Sequence, residues 1–319
     1  MTITFSLTAT HLYAEGPQAP LRPAEPGKIW IDPVTGMTFS WIPEGCFQMG
    51  QTETETNYLL EKAGTEQYNK YYKDELPRHQ ACLTGFWMAQ TAVTVKQFRQ
   101  FVEETGYQTD AEKQGKAWIY NQDTQWKWEE REGYTWKNPG YEQGDNHPVV
   151  NVSWTDAKTF IAWLSKKTGQ NYRLPTEAQW EYAARAGSTA MRFWGDSEAE
   201  ACKYANIGGK ETGWSPSFPC DDGFTFTSPV GTYKPNAFNL YDMLGNTWEW
   251  CEDMFNPKAY DFPSDKDPLM TEGNPFGFRV YRGGSWLNVP QRVRSAYRFR
   301  FSWNIRLSNL GFRVCMVQD

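Results

Sequence analysis

Short stretches in which apolar and polar residues alternate predict β-strands in the first third of the chain. MTFSWI at 37–42 and CFQMG at 46–50 flank a Pro-Glu-Gly turn, and this pattern predicts a β-hairpin. CLTGFWMAQ at 82–90 predicts one further strand. The stretch 51–77 is polar and rich in tyrosine, and no element is assigned to it.

Helical periodicity predicts three amphipathic helices. They begin at the capping residues Thr94, Ser153 and Thr176 and end at Gly106, Gly169 and Gly187. In the middle helix, Ser153 and Asp156 approximate a capping box, and the apolar stripe from Phe160 to Leu164 is expected to face the core.

The remaining segments show no repeat and no linker, so one domain over 28–319 is expected. Residues 1–27 hold four prolines and are interpreted as an extended N-terminal arm. Residues 107–145 are rich in Trp, Tyr, Gln and Glu without a period, which indicates an irregular insertion covered by aromatic stacking. The segment 279–319 is interpreted as a C-terminal binding segment.

Composition restricts the class of protein. The 319 residues include 16 % aromatics, carry a net charge of −6 and contain no apolar run long enough for a membrane span. These features indicate a soluble globular protein without membrane association, and the charge argues against general nucleic-acid binding. The N-terminus has no basic region typical of a secretory signal, so we expect a cytoplasmic protein.

The six cysteines are scattered and show no CxxC spacing, which favours buried, reduced thiols. Disulfides and a zinc site stay open as alternatives.

Residues 273–318 contain eight arginines and no Asp, Glu or Lys. One interpretation is a cationic binding face edged by aromatic residues. The other is that these arginines pair with acids elsewhere inside the protein, and we favour it for the arginines of RSAYR (294–298) and GFR (311–313).

Several motifs in a fixed order resemble the formylglycine-generating enzyme family, also called the sulfatase-modifying factor domain. The motifs are FQMG (47–50), HPVVNVSW (147–154), RLPTEAQWEYAARAG (173–187), NLYDMLGNTWEW (239–250), RVYRGGSW (279–286) and NLGFRV (309–314). The resemblance runs over about residues 30–319. It implies a mixed α/β (α+β) fold with little regular secondary structure, built around a C-type-lectin-like core.

The resemblance also implies two structural calcium sites. By motif position, the first would use Asn206, Ile207, Asp222 and Phe224, and the second would use Asp242, Gly245, Thr247 and Glu249. Carboxylates and carbonyl oxygens in short glycine-containing loops are suitable ligands for Ca²⁺. The alternative is that these acids satisfy loop amides or pair with arginines.

The family's reactive cysteine pair is absent from this sequence. Asn288 and Val293 stand at the two positions, and neither side chain can replace a thiolate on copper(I). Formylglycine-generating activity and bound copper are therefore not expected, although the fold is.

The C-terminal segment resembles the variable region of proteins that are diversified by retroelements. Most of its candidate positions can be reached from an asparagine codon by changing adenines alone. We expect a binding module without chemistry of its own that contacts a protein or other macromolecule. The candidate ligand-binding residues are Trp286, Leu287, Asn288, Val289, Arg292, Phe299, Phe301, Ser302, Trp303, Asn304, Ile305, Leu307, Ser308 and Asn309.

Two alternatives stay open. One is a family oxidoreductase that uses other residues, as in members that act in siderophore maturation, and the other is an undiversified accessory domain. A binding module predicts that the candidate residues share an exposed, fairly flat surface. An enzyme predicts a concave pocket at 286–288 lined by titratable groups with shifted pKa values.

Overall fold

The computed structural model describes residues 25–212, 216–261, 263–273 and 275–317. Its α-helices are α1 (Glu53–Tyr71), α2 (Val95–Thr105), α3 (Asp110–Gln114), α4 (Trp154–Thr168) and α5 (Glu177–Arg185). Its β-strands are β1 (Ile29–Ile31), β2 (Thr38–Ile42), β3 (Gly45–Met49), β4 (His79–Leu83), β5 (Phe86–Ala89), β6 (Lys116–Ile119), β7 (Glu129–Glu132), β8 (Tyr172–Arg173), β9 (Trp248–Met254), β10 (Phe278–Arg282), β11 (Arg298–Ser302), β12 (Leu310–Phe312) and β13 (Cys315–Met316).

Two sheets organise the fold, which is the mixed α/β architecture expected. Strands β1, β2, β5, β13 and β8 form one sheet in that order, and β11, β10, β9 and β12 form the other. Strand β12 runs parallel to β9, whereas β10 runs antiparallel to both of its neighbours. Helices α2 and α4 cover a core rich in aromatic rings, in which Phe160 and Phe312 meet at 5.4 Å between ring centroids.

The three predicted helices are confirmed as α2, α4 and α5. Each begins after a Thr or Ser whose side chain accepts a hydrogen bond from the backbone three residues later, as a capping box requires. Gly106 and Gly169 end the first two in the left-handed conformation, whereas Ala186 takes this position after α5.

Two strand predictions in the first third are wrong in their pairing. Strands β2 and β3 do not form a hairpin, because β2 pairs with β1 and β5 whereas β3 pairs with β4. The predicted strand at 82–90 is interrupted at Thr84 and Gly85, so its two halves lie in different sheets. Local alternation identified these strands but could not identify their partners.

The polar stretch after Gly50 contains a helix that was not predicted. Helix α1 begins with a capping box between Thr52 and Glu55 and is kinked at Gly64, where φ is 75°. The insertion 107–145 is also more regular than expected, because it contains α3 and the antiparallel pair β6–β7. Of the expected N-terminal arm, residues 1–24 lie outside the described residues.

Four of the six cysteines form disulfides, so the expectation of reduced thiols is wrong for these four. Cys46 and Cys82 are directly opposite each other on β3 and β4 and are bonded, and Cys202 is bonded to Cys220. Cys251 and Cys315 are buried free thiols, and burial raises the pKa of both. Among the described residues, no helix is both long and apolar enough to cross a membrane.

Candidate functional site: an aromatic cleft

A concave cleft of about 810 Å³ lies beside the C-terminal segment, and this volume is typical of a small-molecule site. Its floor is one face of the sheet formed by β9, β10 and β11. Tyr281 and Phe299 are directly opposite each other on β10 and β11, with ring centroids 5.6 Å apart. Trp248 of β9 packs edge-on against Tyr281 at 5.1 Å. The period-two geometry of the strands places these rings on one side of the sheet.

Two segments distant in sequence supply the walls of the cleft. Helix α1 contributes Lys62 and Tyr71, and Tyr72 follows the helix. The insertion contributes Trp118, Tyr120 and Trp128 from its β6–β7 region, with the last two rings 5.5 Å apart. None of these residues was predicted as part of a site. The aromatic residues of 107–145 could have indicated that the insertion contributes to a binding site. The capping box of Thr52 and Glu55 could have indicated helix α1.

Nine of the fourteen candidate ligand-binding residues line this cleft. They are Leu287, Asn288, Val289, Arg292, Phe299, Phe301, Ile305, Leu307 and Asn309. They surround a concavity, so the expected flat surface is wrong in shape. Asn288, Ile305 and Asn309 are also buried, which a freely exposed recognition face would not show.

The other five candidate residues lie outside the cleft lining. Trp286 is fully buried and packs against Phe226, with ring centroids 5.0 Å apart. Ser308 is buried, while Ser302 donates a hydrogen bond to Asn304 at 2.8 Å in a partly exposed turn. Trp303 is 43 % exposed beside Gly277.

The described residues that line the cleft include no Asp, Glu, His, Cys, Ser or Thr. Their titratable groups are tyrosines, Lys62 and Arg292. Burial raises the pKa of the Tyr72, Tyr281 and Tyr297 hydroxyls above their ordinary value, and the positive charge of Arg292 opposes that shift in each case. These hydroxyls are therefore neutral donors at physiological pH.

Three cleft residues carry a buried polar atom without a hydrogen-bond partner. These atoms are the Gln291 Oε1, the Tyr297 hydroxyl and the Asn309 Oδ1. Buried polar groups are nearly always satisfied in folded proteins, so unsatisfied ones beside a cavity indicate a ligand or ordered water.

Most arginines of the C-terminal segment are internal ion-pair partners, which excludes a cationic face built from them. Arg294 donates to Glu75 at 2.7 Å and to Glu55 at 3.2 Å, and all three side chains are fully buried. Arg298 pairs with Glu177 at 2.6 Å. The arginines of RSAYR thus have the framework role favoured from the sequence.

The first predicted calcium site keeps one oxygen donor, on Asn206, that has no protein partner. Asp222 accepts hydrogen bonds from the backbone of Ile207 at 2.7 Å and of Phe224 at 2.9 Å, which brings the expected ligands together. The Asn206 Nδ2 donates to the carbonyl of Phe226, but its Oδ1 is buried without a partner. An orphaned amide oxygen and a carboxylate are donor types that Ca²⁺ accepts.

The second predicted calcium site does not fit as a complete set. Both oxygens of Glu249 are already bonded, to Arg313 at 2.8 Å and to Trp180 at 2.8 Å. Asp242 is buried, and its Oδ2 accepts a hydrogen bond from the Gly231 backbone at 2.8 Å, so its Oδ1 is the one carboxylate oxygen of this set without a partner. Glu249 is instead the acid that the arginine of the GFR motif was expected to meet.

Comparison with known proteins shows the family and the fold. Residues 29–317 match the Sulfatase-modifying factor enzyme 1-like domain. The chain is 37 % identical over 274 residues to the formylglycine-generating enzyme of Streptomyces coelicolor, which covers 77 % of this chain and 82 % of that protein. PvdO from Pseudomonas aeruginosa superposes with a TM-score of 0.74 at 29 % identity, covering 93 % of this chain and 100 % of PvdO.

A third similarity concerns the fold alone. Treponema denticola variable protein 1 superposes with a TM-score of 0.63 at 23 % identity, covering 91 % of this chain and 98 % of that protein. The same scaffold therefore carries both a named enzyme family and a variable protein, and function has to be argued from the site.

Proposed function

Because the chain belongs to the formylglycine-generating enzyme family, we propose that it uses this family's scaffold to bind a small organic ligand in the aromatic cleft, without generating formylglycine. The observation that carries the proposal is the cleft itself, about 810 Å³ of concave space walled by Tyr, Trp and Phe rings. Such walls bind planar or apolar groups by burial and offset stacking. Asn288 and Val293 provide no thiolate for the family's named reaction.

The cleft supports a small ligand better than the macromolecular partner expected from the sequence. A macromolecular contact needs a broad surface, whereas the cleft residues converge on one cavity. Phe301, at 42 % exposed, is the candidate residue at the opening that a larger partner would touch.

The proposal is tested with an uncharged fluorescent probe, phenylnaphthylamine. Trp128→Ala removes a half-buried wall of the cleft and should weaken binding at least several-fold. Phe276→Ala is the matched control, because this ring is 71 % exposed and lies outside the cleft lining. Absence of binding to the native protein, or equal losses in both variants, would overturn the proposal.

A second candidate function is an oxidoreductase that acts on a ligand held in the same cleft. The observation that favours it is the concave, tyrosine-lined pocket at Leu287 and Asn288, the shape predicted for an enzyme. Mass spectrometry of a ligand recovered from the protein separates the two functions. An unchanged ligand mass after incubation in air indicates binding alone, whereas loss of two hydrogens from the ligand, with dioxygen reduced to hydrogen peroxide, indicates oxidation.

Retroelement diversification of the C-terminal segment stays a prediction. Asn288, Ser308 and Asn309 are buried, and random replacement there would leave polar groups unsatisfied or create cavities. A near-copy of the gene's end that differs at adenines, beside a reverse transcriptase gene, would support diversification.

A further inference from the structure

Arg292 differs from most arginines of the C-terminal segment because it forms no ion pair with a described carboxylate. Its side chain is half-buried, lines the cleft and lies with the guanidinium carbon 5.6 Å from the ring centroid of Tyr71. Two residues further along the chain, Arg294 is held by two glutamates. The cleft arginine therefore has a different environment from its neighbour.

Among the described residues that line the cleft, those around Arg292 are aromatic and none is a carboxylate. The polar groups that act on it most strongly are the hydroxyls of Tyr297, Tyr72 and Tyr71, and the Tyr72 hydroxyl is also its hydrogen-bond partner. Ring faces compensate a guanidinium only in part, since a cation–π contact contributes less than a buried ion pair with a carboxylate. A partly desolvated cation without an acid partner is costly unless a ligand supplies the anion.

The side chains that line the cleft carry a net positive charge, like Arg292 itself. Its described lining residues include two cations, Lys62 and Arg292, and no acid, although the chain has a net charge of −6. Lys62 is exposed at the rim and already pairs with Glu61 at 3.1 Å. Arg292 is thus the cation that a ligand inside the cleft would meet without competition from a protein carboxylate.

We infer that Arg292 binds an anionic group of the ligand, a carboxylate, sulfonate or phosphate, while the planar part of the ligand packs on the tyrosine and tryptophan walls. This inference rests on the proposed function and names the ligand class for the same cleft: a planar aromatic anion. The fork of guanidinium N–H groups matches two oxygens of such an anion. The buried, unpartnered hydroxyl of Tyr297 lines the same cleft and is a further donor.

Two probes with the same ring system test the inference. Anilinonaphthalene sulfonate carries an anion, whereas phenylnaphthylamine is uncharged, and both are followed by fluorescence titration. Arg292→Gln should weaken sulfonate binding roughly tenfold or more, because hydrogen bonds to charged groups are the stronger class, and should change binding of the neutral probe less than about twofold. Arg292→Lys keeps the charge without the fork, so it should give an intermediate loss.

The controls separate the possible failures. Lys62→Gln removes a rim cation and should change sulfonate binding by less than Arg292→Gln does. Equal losses for both probes in Arg292→Gln, or a larger loss in Lys62→Gln, would overturn the inference while leaving the cleft as a binding site. If the native protein does not bind the uncharged probe, the proposed function itself fails. Unchanged thermal melting of Arg292→Gln confirms that the variant is folded.

Discussion

The side-chain oxygen of Asn288 accepts two hydrogen bonds from Ser285, one from its backbone N–H at 2.9 Å and one from its hydroxyl at 2.8 Å. The Ser285 hydroxyl in turn accepts a hydrogen bond from the Asn309 Nδ2 at 2.9 Å. Asn288 is therefore a structural amide that closes the turn after the GGS motif.

The amide at position 288 is expected to stabilise the fold. Asn288→Ala leaves the Ser285 donors buried and unsatisfied, so it should lower the free energy of unfolding by about 1–3 kcal/mol. Urea denaturation measures this change. Asn304→Ala is the matched control, because Asn304 accepts its bond from Ser302 in a partly exposed turn and its loss should cost less. Equal effects in the two variants would contradict the structural role.

Phe299 and Phe301 should differ in their effects on stability, although both are candidate binding residues on β11. Phe299 packs against Tyr281 and Trp248, so Phe299→Ala should lower the free energy of unfolding by about 2–4 kcal/mol. Phe301 is 42 % exposed, so Phe301→Ala should cost less than about 1 kcal/mol and should weaken probe binding. Chemical denaturation and probe titration of both variants test this contrast. A large loss of stability for Phe301→Ala would place that ring in the core.

Local patterns could predict the helices because their signals are local. The caps at Thr94, Ser153 and Thr176 and the apolar stripes following them lie within a few turns of one another. Helix α1 was missed because its apolar residues form only a weak stripe and because Gly64 interrupts it. The buried faces of α4 and α5, in contrast, follow directly from the helical spacing of their apolar residues.

The cleft could be predicted only in part, because its walls come from three distant segments. The C-terminal residues were recognised from their unusual mixture of aromatic and arginine side chains, which includes Arg292 and Phe299. Tyr71 and Trp128 approach them only through tertiary packing that no sequence period encodes. The concave shape has the same origin, since it depends on how α1 and the insertion are placed over the sheet.

The two disulfides change the expected location of the protein. Bonds of this kind persist in oxidising compartments and are rare in the cytoplasm, so we expect the working compartment to be oxidising. When the wild-type protein is denatured without a reducing agent, alkylation should label Cys251 and Cys315 alone. Removal of the Cys202–Cys220 bond by substitution with serine should lower the free energy of unfolding by about 2–4 kcal/mol. Labelling of all six cysteines in freshly isolated protein would contradict both expectations.

Calcium binding at the first predicted site should raise thermal stability. Ca²⁺ added to chelator-treated protein should increase the melting temperature, because an ion that binds the folded state alone shifts the unfolding equilibrium. Asp222→Asn should abolish most of this increase, since Asp222 is the one carboxylate of the predicted ligand set, which also contains the orphaned Asn206 oxygen. Asp221→Asn is the matched control, because the neighbouring carboxylate only accepts a bond from Gly223. No response to Ca²⁺ in the native protein would exclude the site.

Buried Glu75 should make stability fall as pH rises through the neutral range. Desolvation is the main cause that raises the pKa of Glu75 from 4.5 to about 7. The positive charge of Arg294 lowers this pKa, whereas the negative charges of Glu55 and Asp74 raise it further. The buried carboxylates of Glu55 and Glu75 share the guanidinium of Arg294. The folded state therefore keeps a proton on Glu75 up to a higher pH than the unfolded chain does. The contribution of this proton is therefore present below about pH 4.5 and is lost as pH rises to about 7.

Glu75→Gln isolates that contribution, because glutamine resembles the protonated acid at every pH. Other buried carboxylates with a raised pKa, such as Asp156 and Asp253, act in the same direction and remain in both proteins. The free energy of unfolding of the native protein relative to Glu75→Gln should fall by about 1–3 kcal/mol between pH 5 and pH 8. Urea denaturation at each pH measures this difference. A difference that stays constant or grows with pH would show that Arg294 keeps Glu75 ionised throughout, and that the shared guanidinium satisfies both acids.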